Sequence, residues 1–185
     1  MISIKALKKQ NSPTDDPAAL VTSAREDPAA FGRLYDLYVQ RVFGYLYRRV
    51  GSQQDAEDLT SQTFIAAYEA LESYRGQNHF AAWLFGIARH KLMDHYRRTS
   101  AQPPTDDVED IPKEEHTLDR IIQDEELSRL GALIQHLNSE EQDLIYLRYL
   151  AGLSYVEMGE LLGKNSDAVK KSVYRLLARL KSQME

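Results

Sequence analysis

Apolar positions along the chain recur at helical spacing, and capping residues cut that pattern into helices. From Ala29, the residues Phe31, Leu34, Tyr35, Tyr38, Val42, Tyr45 and Leu46 keep one face apolar, with Asp27-Pro28 as a start signal and Gly51 as a stop. Asp16-Pro17 offers a similar start for a shorter helix. Arg41, Arg48 and Arg49 are expected on the solvated face of the longer one. Ser52 is an N-cap, with Asp55 at the third helical position, for a helix running through DAEDLTSQTFIAAYEAL to Leu71. Asp55, Asp58, Gln62 and Glu69 share one side of it; Leu59, Thr63, Ala66 and Ala70 share another.

ESYRGQNH, residues 72–79, breaks the pattern and reads as a loop. Residues 80–98, FAAWLFGIARHKLMDHYRR, resume it. Phe85, Leu92 and Tyr96 fall together, while Trp83, Ile87, His90, Asp94 and Arg97 recur at alternating spacings of four and three along a second, partly polar seam. An ordinary core helix carrying Trp83 inside is one reading. A surface for stacking and hydrogen bonding to bases, with Lys91 and Arg98 meeting phosphates, is the other.

Residues 99–116 hold Pro103, Pro104 and Pro112 among many acids and few apolar side chains, a composition that builds no core. Helical spacing returns near Thr117. Asn138 with Glu141 opens the next helix, ahead of Gly152. Ser154 with Glu157 forms a capping box for a short helix closed by Gly163, and Asn165 caps a longer basic helix. Gly159 is small where a second helix is expected to cross closely. A short helix, a glycine turn and a longer basic helix make a helix-turn-helix, whose second helix enters the major groove by its N-terminal residues. On that helix Val169, Val173, Leu176, Leu177 and Leu180 are the expected core.

The fold class is therefore all-α: a loose tail (1–16), a helical domain (17–99), an acidic flexible linker (100–116) and a helix-turn-helix domain (117–185). Charge changes the picture. A net of −5 over 185 residues argues against nucleic acid as a partner, but residues 100–126 hold ten acids against Lys113 and Arg120, and the rest of the chain is net positive. Residues 164–181 carry six basic side chains against Asp167 alone. With no cysteine there is no disulfide framework, thiolate nucleophile or cysteine-based zinc site. The absence of a long apolar run and of a signal-peptide pattern places the protein in the cytoplasm by expectation.

Four blocks, DPAAFGRLYDLYVQRVFGYLYRRVG, DAEDLTSQTF, FAAWLFGIARHKLMDHYRR and LNSEEQDLIYLRYLAGLSYVEMGELLGKNSDAVKKSVYRLLARLK, together resemble the extracytoplasmic-function (ECF) sigma factors of bacterial RNA polymerase over roughly residues 27 to 182. The resemblance implies a region 2 domain and a region 4 domain with no region 3 between them. It also implies binding to core polymerase, recognition of the minus-thirty-five duplex, opening of the minus-ten element and no catalysis or cofactor. Asp55, Asp58, Gln62 and Phe64 match the motif that docks on the clamp of the polymerase's largest subunit. Tyr74, Arg75, Gln77 and Asn78 match the loop that captures a flipped minus-ten base. Trp83, His90, Asp94, Arg97 and Arg98 match positions facing that strand. Ser166, Asp167, Ala168, Lys170, Lys171, Tyr174 and Arg175 match the minus-thirty-five reading helix, with Arg148 on a backbone phosphate. Many relatives carry Asn at His90 and a Gly-Thr pair at Asp167-Ala168. An anti-sigma protein is a further implied partner, with no residue here assigned to it. The acidic linker, by its charge, is expected to act as a rough mimic of nucleic acid in the polymerase's product channel.

Two readings from other classes stand beside this one. A conventional operator-binding regulator, with residues 27–98 as a sensor or dimerisation domain, explains the helix-turn-helix but not DAEDLTSQTF. A helical metalloenzyme using His90, Asp94 and His95 lacks the paired Glu-x-x-His pattern of di-iron bundles, and its histidines lie about 140° apart around the helix.

Overall fold

The computed structural model describes residues 17–75, 79–99 and 118–184, with side chains described from 126 onward in the last segment. The loop positions Gln77 and Asn78, the N-terminal tail and the linker 100–116 lie outside the described residues. Among the described residues eight α-helices follow one another: α1 (Pro17–Ser23), α2 (Pro28–Val50), α3 (Gln53–Ala70), α4 (Phe80–Thr99), α5 (Leu118–Gln135), α6 (Ser139–Tyr149), α7 (Tyr155–Leu162) and α8 (Ser166–Met184), with a 3₁₀ turn at Leu71–Ser73 after α3.

The ends are set by local chemistry. Asp27 accepts a hydrogen bond from the Ala29 N–H ahead of α2, and Gly51 closes that helix in the left-handed region at φ 74°. Ser52 accepts from the Asp55 N–H. Asn138 with Glu141, and Ser154 with Glu157, both form reciprocal capping boxes. Asn165 accepts from the Asp167 N–H at 2.8 Å, opening α8.

Helices α1 to α4 pack on one another, as do α5 to α8, and α7 lies against α4. The two groups share one continuous apolar cluster. Leu34, Tyr45, Leu46, Leu59, Leu84, Phe85 and Leu92 fill the first group; Leu147, Leu153, Met158, Val169 and Val173 fill the second. Leu177, expected in the core, is only half-buried.

Gly159 is small where the next helix comes close, as expected, and the turn before that helix comes closer still. A Cβ there would lie 2.7 Å from the Lys164 carbonyl oxygen in the turn and 3.3 Å from the N of Ser166, the first residue of α8. Of the three α2 arginines expected in solvent, two depart from that expectation. Arg48 is exposed, whereas the Arg49 side chain is 2% exposed against Asp143 of α6, and Arg41 donates to the Ala151 carbonyl. A long guanidinium stem reaches across a packed seam where a partner carboxylate or carbonyl offsets its desolvation.

Candidate nucleic-acid interface

Helix α8 presents its charge outward because its apolar side is consumed by packing. Val169, Val173, Leu176 and Leu180 are buried at intervals of four, three and four, which leaves Asp167, Ala168, Lys170, Lys171, Tyr174 and Arg175 exposed and Ser166 partly so. Tyr174 is 56% exposed, with its ring 6.4 Å from that of Tyr155. This face combines cations, an aromatic and short polar groups at a helix N-terminus, the chemistry that phosphates and base edges require.

Arg148 is placed differently from the phosphate contact expected. Its guanidinium donates to the Leu153 carbonyl at 2.6 Å and lies 4.6 Å over the Tyr155 ring. It braces the turn between α6 and α7, because carbonyls left free beyond the end of α6 need a donor.

On α4 the polar seam forms as spaced. His90 Nδ1 lies 3.3 Å from Asp94, and Arg97 pairs with the same carboxylate. The Arg97 hydrogen bond holds the Asp94 carboxyl below its ordinary range. His90, Arg97 and Arg98 are exposed. Trp83 is half-buried, with ring centroids 4.8 Å from Tyr74 and 5.5 Å from Phe80.

Tyr74 does not offer the free stacking face expected of a loop residue. It is 6% exposed, wedged against Phe80 and Trp83, while its carbonyl accepts from Arg25 at 2.5 Å. Burial pushes its phenol up. Two aromatic neighbours on α4 hold the ring inward, so Arg75, which is exposed, is the described loop side chain open to a strand.

The acidic stripe on α3 is exposed at Asp58 and Gln62 and half-exposed at Asp55, which lies 4.0 Å from His95. Phe64 is a correction: it is 5% exposed, its ring 4.7 Å from Tyr35 in an edge arrangement, and it supports that face from beneath. Among the described residues, no cluster of His, Cys, Asp and Glu is placed to hold a metal ion, and no helix is long and apolar enough to cross a membrane.

Sequence periodicity missed one residue at the centre of the seam between the two groups. Asp143 is 1% exposed and accepts from Tyr45 Oη at 3.1 Å, Arg89 Nε at 2.9 Å and Arg49. The loss of water and then the Asp143 carboxylate push the Tyr45 phenol up. Burial is the largest influence on Arg49 and would lower it, but Asp143, Tyr45 and Tyr96 together outweigh burial and hold the guanidinium above its usual range.

Residues 34–102 match the Sigma-70 region 2 family, and residues 127–180 match Sigma-70, region 4. The chain is 37% identical over 156 residues to the ECF RNA polymerase sigma factor BldN of Streptomyces coelicolor, covering 82% of this chain but 59% of that protein's length. It is 31% identical over 160 residues to the RNA polymerase sigma factor YlaC of Bacillus subtilis, covering 82% of this chain and 90% of the relative. The fold resembles the solved structure of CnrH in complex with the cytosolic domain of CnrY, with TM-score 0.68 and 24% identity over 92% of this chain and 97% of the other.

Proposed function

The chain belongs to the ECF sigma factors of bacterial RNA polymerase, and on that premise we propose how its surfaces share the work of initiation. It binds core polymerase and promoter DNA. Asp58 and Gln62, with Asp55 beside them, form the docking stripe for a basic surface of core polymerase, and Phe64 keeps the helix seated beneath it. Lys170, Lys171 and Arg175 meet phosphates and set the register of α8 on the minus-thirty-five duplex, while Ser166, Asp167 and Ala168 face base edges. Asp167 either accepts from a cytosine amino group or favours the positive end of the helix dipole.

At the minus-ten element the first helical group works by differential binding. Arg75, His90, Arg97 and Arg98 hold the backbone of the displaced strand, and the half-buried Trp83, backed by Tyr74, supplies aromatic surface. Stacking of a base contributes about 1–3 kcal/mol, which offsets an unpairing cost of a few kcal/mol. The division into a region 2 domain (17–99), a linker (100–116) and a region 4 domain (117–185) follows the same logic. The factor works in the cytoplasm, where polymerase is, and catalyses no reaction itself. An anti-sigma protein is a fitting third partner.

The observation that carries this reading is the match of both halves, in order, to region 2 and region 4, with the exposed basic face of α8 in the second. The test is capture of bacterial core polymerase by the purified protein, wild type against Asp55→Lys/Asp58→Lys. Stoichiometric capture lost on charge reversal, with helicity unchanged by circular dichroism, is the expected result. Failure to capture core, with tight binding to a duplex operator by the protein alone, would return the conventional regulator as the better account.

A further inference from the structure

The turn between α1 and α2 reaches the entry of the loop that follows α3. Leu20, Val21 and Ala24 are buried, so α1 is fixed on α2 and touches α4, and the turn after it carries Arg25 to the edge of the first helical group. Glu26 and Asp27 stand beside it in sequence. The Arg25 guanidinium nevertheless donates to the Tyr74 carbonyl at 2.5 Å, 49 positions along the chain.

That carbonyl belongs to the peptide unit that leads into Arg75. Tyr74 leaves the 3₁₀ turn with φ −64° and ψ 120°, and because the peptide is planar, a hydrogen bond to its carbonyl also fixes the direction in which Arg75 departs. The other handles of Tyr74 are held too. Its N–H donates to the Leu71 carbonyl at 3.2 Å, and its ring lies 4.8 Å from Trp83 and 5.9 Å from Phe80, both on α4. The ring and the N–H are thus fixed by α4 and the 3₁₀ turn, and the carbonyl is fixed from the α1–α2 turn. A charged donor makes a stronger bond than a neutral one, and a planar guanidinium loses little freedom in making it.

We propose that Arg25 is a positioning residue for the minus-ten strand: by holding the Tyr74 carbonyl it sets the peptide that carries the exposed Arg75, so that this cation meets the strand backbone already oriented. The proposal rests on the sigma reading for what Arg75 meets, and on the Arg25 contact alone for what orients it. With that peptide free to turn, its ordering would fall to the binding step, and affinity for the strand would drop accordingly. Helix α1 thereby does more than cover the core.

The test titrates holoenzyme, formed from the full chain and bacterial core polymerase, with a fluorescent single-stranded DNA that the wild-type holoenzyme has selected from a random pool. Arg25→Ala should bind about fivefold more weakly, with core capture and salt slope unchanged, because no phosphate contact is lost. Arg25→Gln, which keeps a donor without the charge, should recover part of that loss. A salt slope lowered by about 0.7, with rescue by Arg25→Lys but not by Arg25→Gln, overturns the proposal, since Arg25 would then touch the strand itself. Equal affinity of Arg25→Ala and wild type overturns it as well. Amide exchange supplies a readout that needs no DNA. The Tyr74 N–H should exchange faster in Arg25→Ala, while that of Ala24, bonded to the Leu20 carbonyl at 2.8 Å, keeps its protection. Loss of protection at Ala24 too would show that α1 has come away as a whole, and the positioning role falls. If the wild-type holoenzyme selects no strand, the sigma reading is what fails, and exchange at Tyr74 still decides whether Arg25 holds the loop entry.

Discussion

Arg49 and Asp143, separated by 94 positions in the chain, form an ion pair whose side chains are 2% and 1% exposed. The pair joins the end of α2 to the middle of α6. Arg49 is further fixed by its own backbone, since the Tyr96 hydroxyl donates to its carbonyl at 2.5 Å.

Truncating one partner of this pair should cost more than truncating both. Asp143→Ala leaves the Arg49 guanidinium buried and unpaired, at a cost of about 3–5 kcal/mol. Arg49→Ala/Asp143→Ala removes both charges, and its loss should fall well below the sum of the single variants. Denaturant melts of the three variants, with small-angle scattering to follow separation of the groups, measure the coupling.

Gly159→Ala should damage the helix-turn-helix. Its methyl would meet the Lys164 carbonyl at 2.7 Å, and a backbone group has little room to yield, so a loss of about 1–3 kcal/mol is expected. Gly44→Ala is the matched control. It lies inside α2 with nothing within 4 Å of the added carbon, and should raise stability by about 0.5–1 kcal/mol. Thermal denaturation should move in opposite directions for the two.

Alkaline pH should weaken the seam through Tyr45. Burial first, and then the Asp143 carboxylate, raise its phenol pKa above the ordinary value of 10.0. The packed form therefore keeps a proton that the unpacked form releases, so stability is full below pH 10 and declines as pH rises beyond it. Tyr45→Phe should be less stable at neutral pH, having lost the hydrogen bond to Asp143, yet its stability should fall less between pH 9 and 11. Urea melts across that range give the slopes.

On α8, cations and short polar residues should separate into two behaviours. Lys171→Ala should weaken binding to every duplex alike and lower the salt slope by about one. Asp167→Ala should change which base is preferred at one position of the minus-thirty-five element, by about 1–3 kcal/mol between bases. Binding titrations on a small panel of duplexes at several salt concentrations distinguish them.

The helix ends were legible because their causes are local. Asn138 with Glu141, Ser154 with Glu157, and Gly51 and Gly163 each act within one turn of themselves, and each stands where the spacing predicts. The outward face of α8 was legible for a related reason: once Val169, Val173 and Leu176 point inward, 3.6-residue geometry leaves Lys170, Lys171 and Arg175 outside. Arg148 and Tyr74 were not. Whether a guanidinium meets solvent or the Leu153 carbonyl, and whether a loop tyrosine stands free or wedges against Phe80 and Trp83, depends on groups that only packing brings near.

By itself the sequence determined the helices, their caps, the outward basic face of α8 and, through its four ordered blocks, the family. Each of these rests on short-range geometry or on motif order, which a linear string contains in full. Only the tertiary structure decided that Asp143 and Arg49 are buried against each other, that Phe64 lies beneath the α3 stripe and that the Lys164 carbonyl is the nearest neighbour of Gly159. Periodicity names the face of a helix but not what covers it. An acid or an arginine beside an apolar face has the same pattern whether water or a partner 94 positions away satisfies its charge.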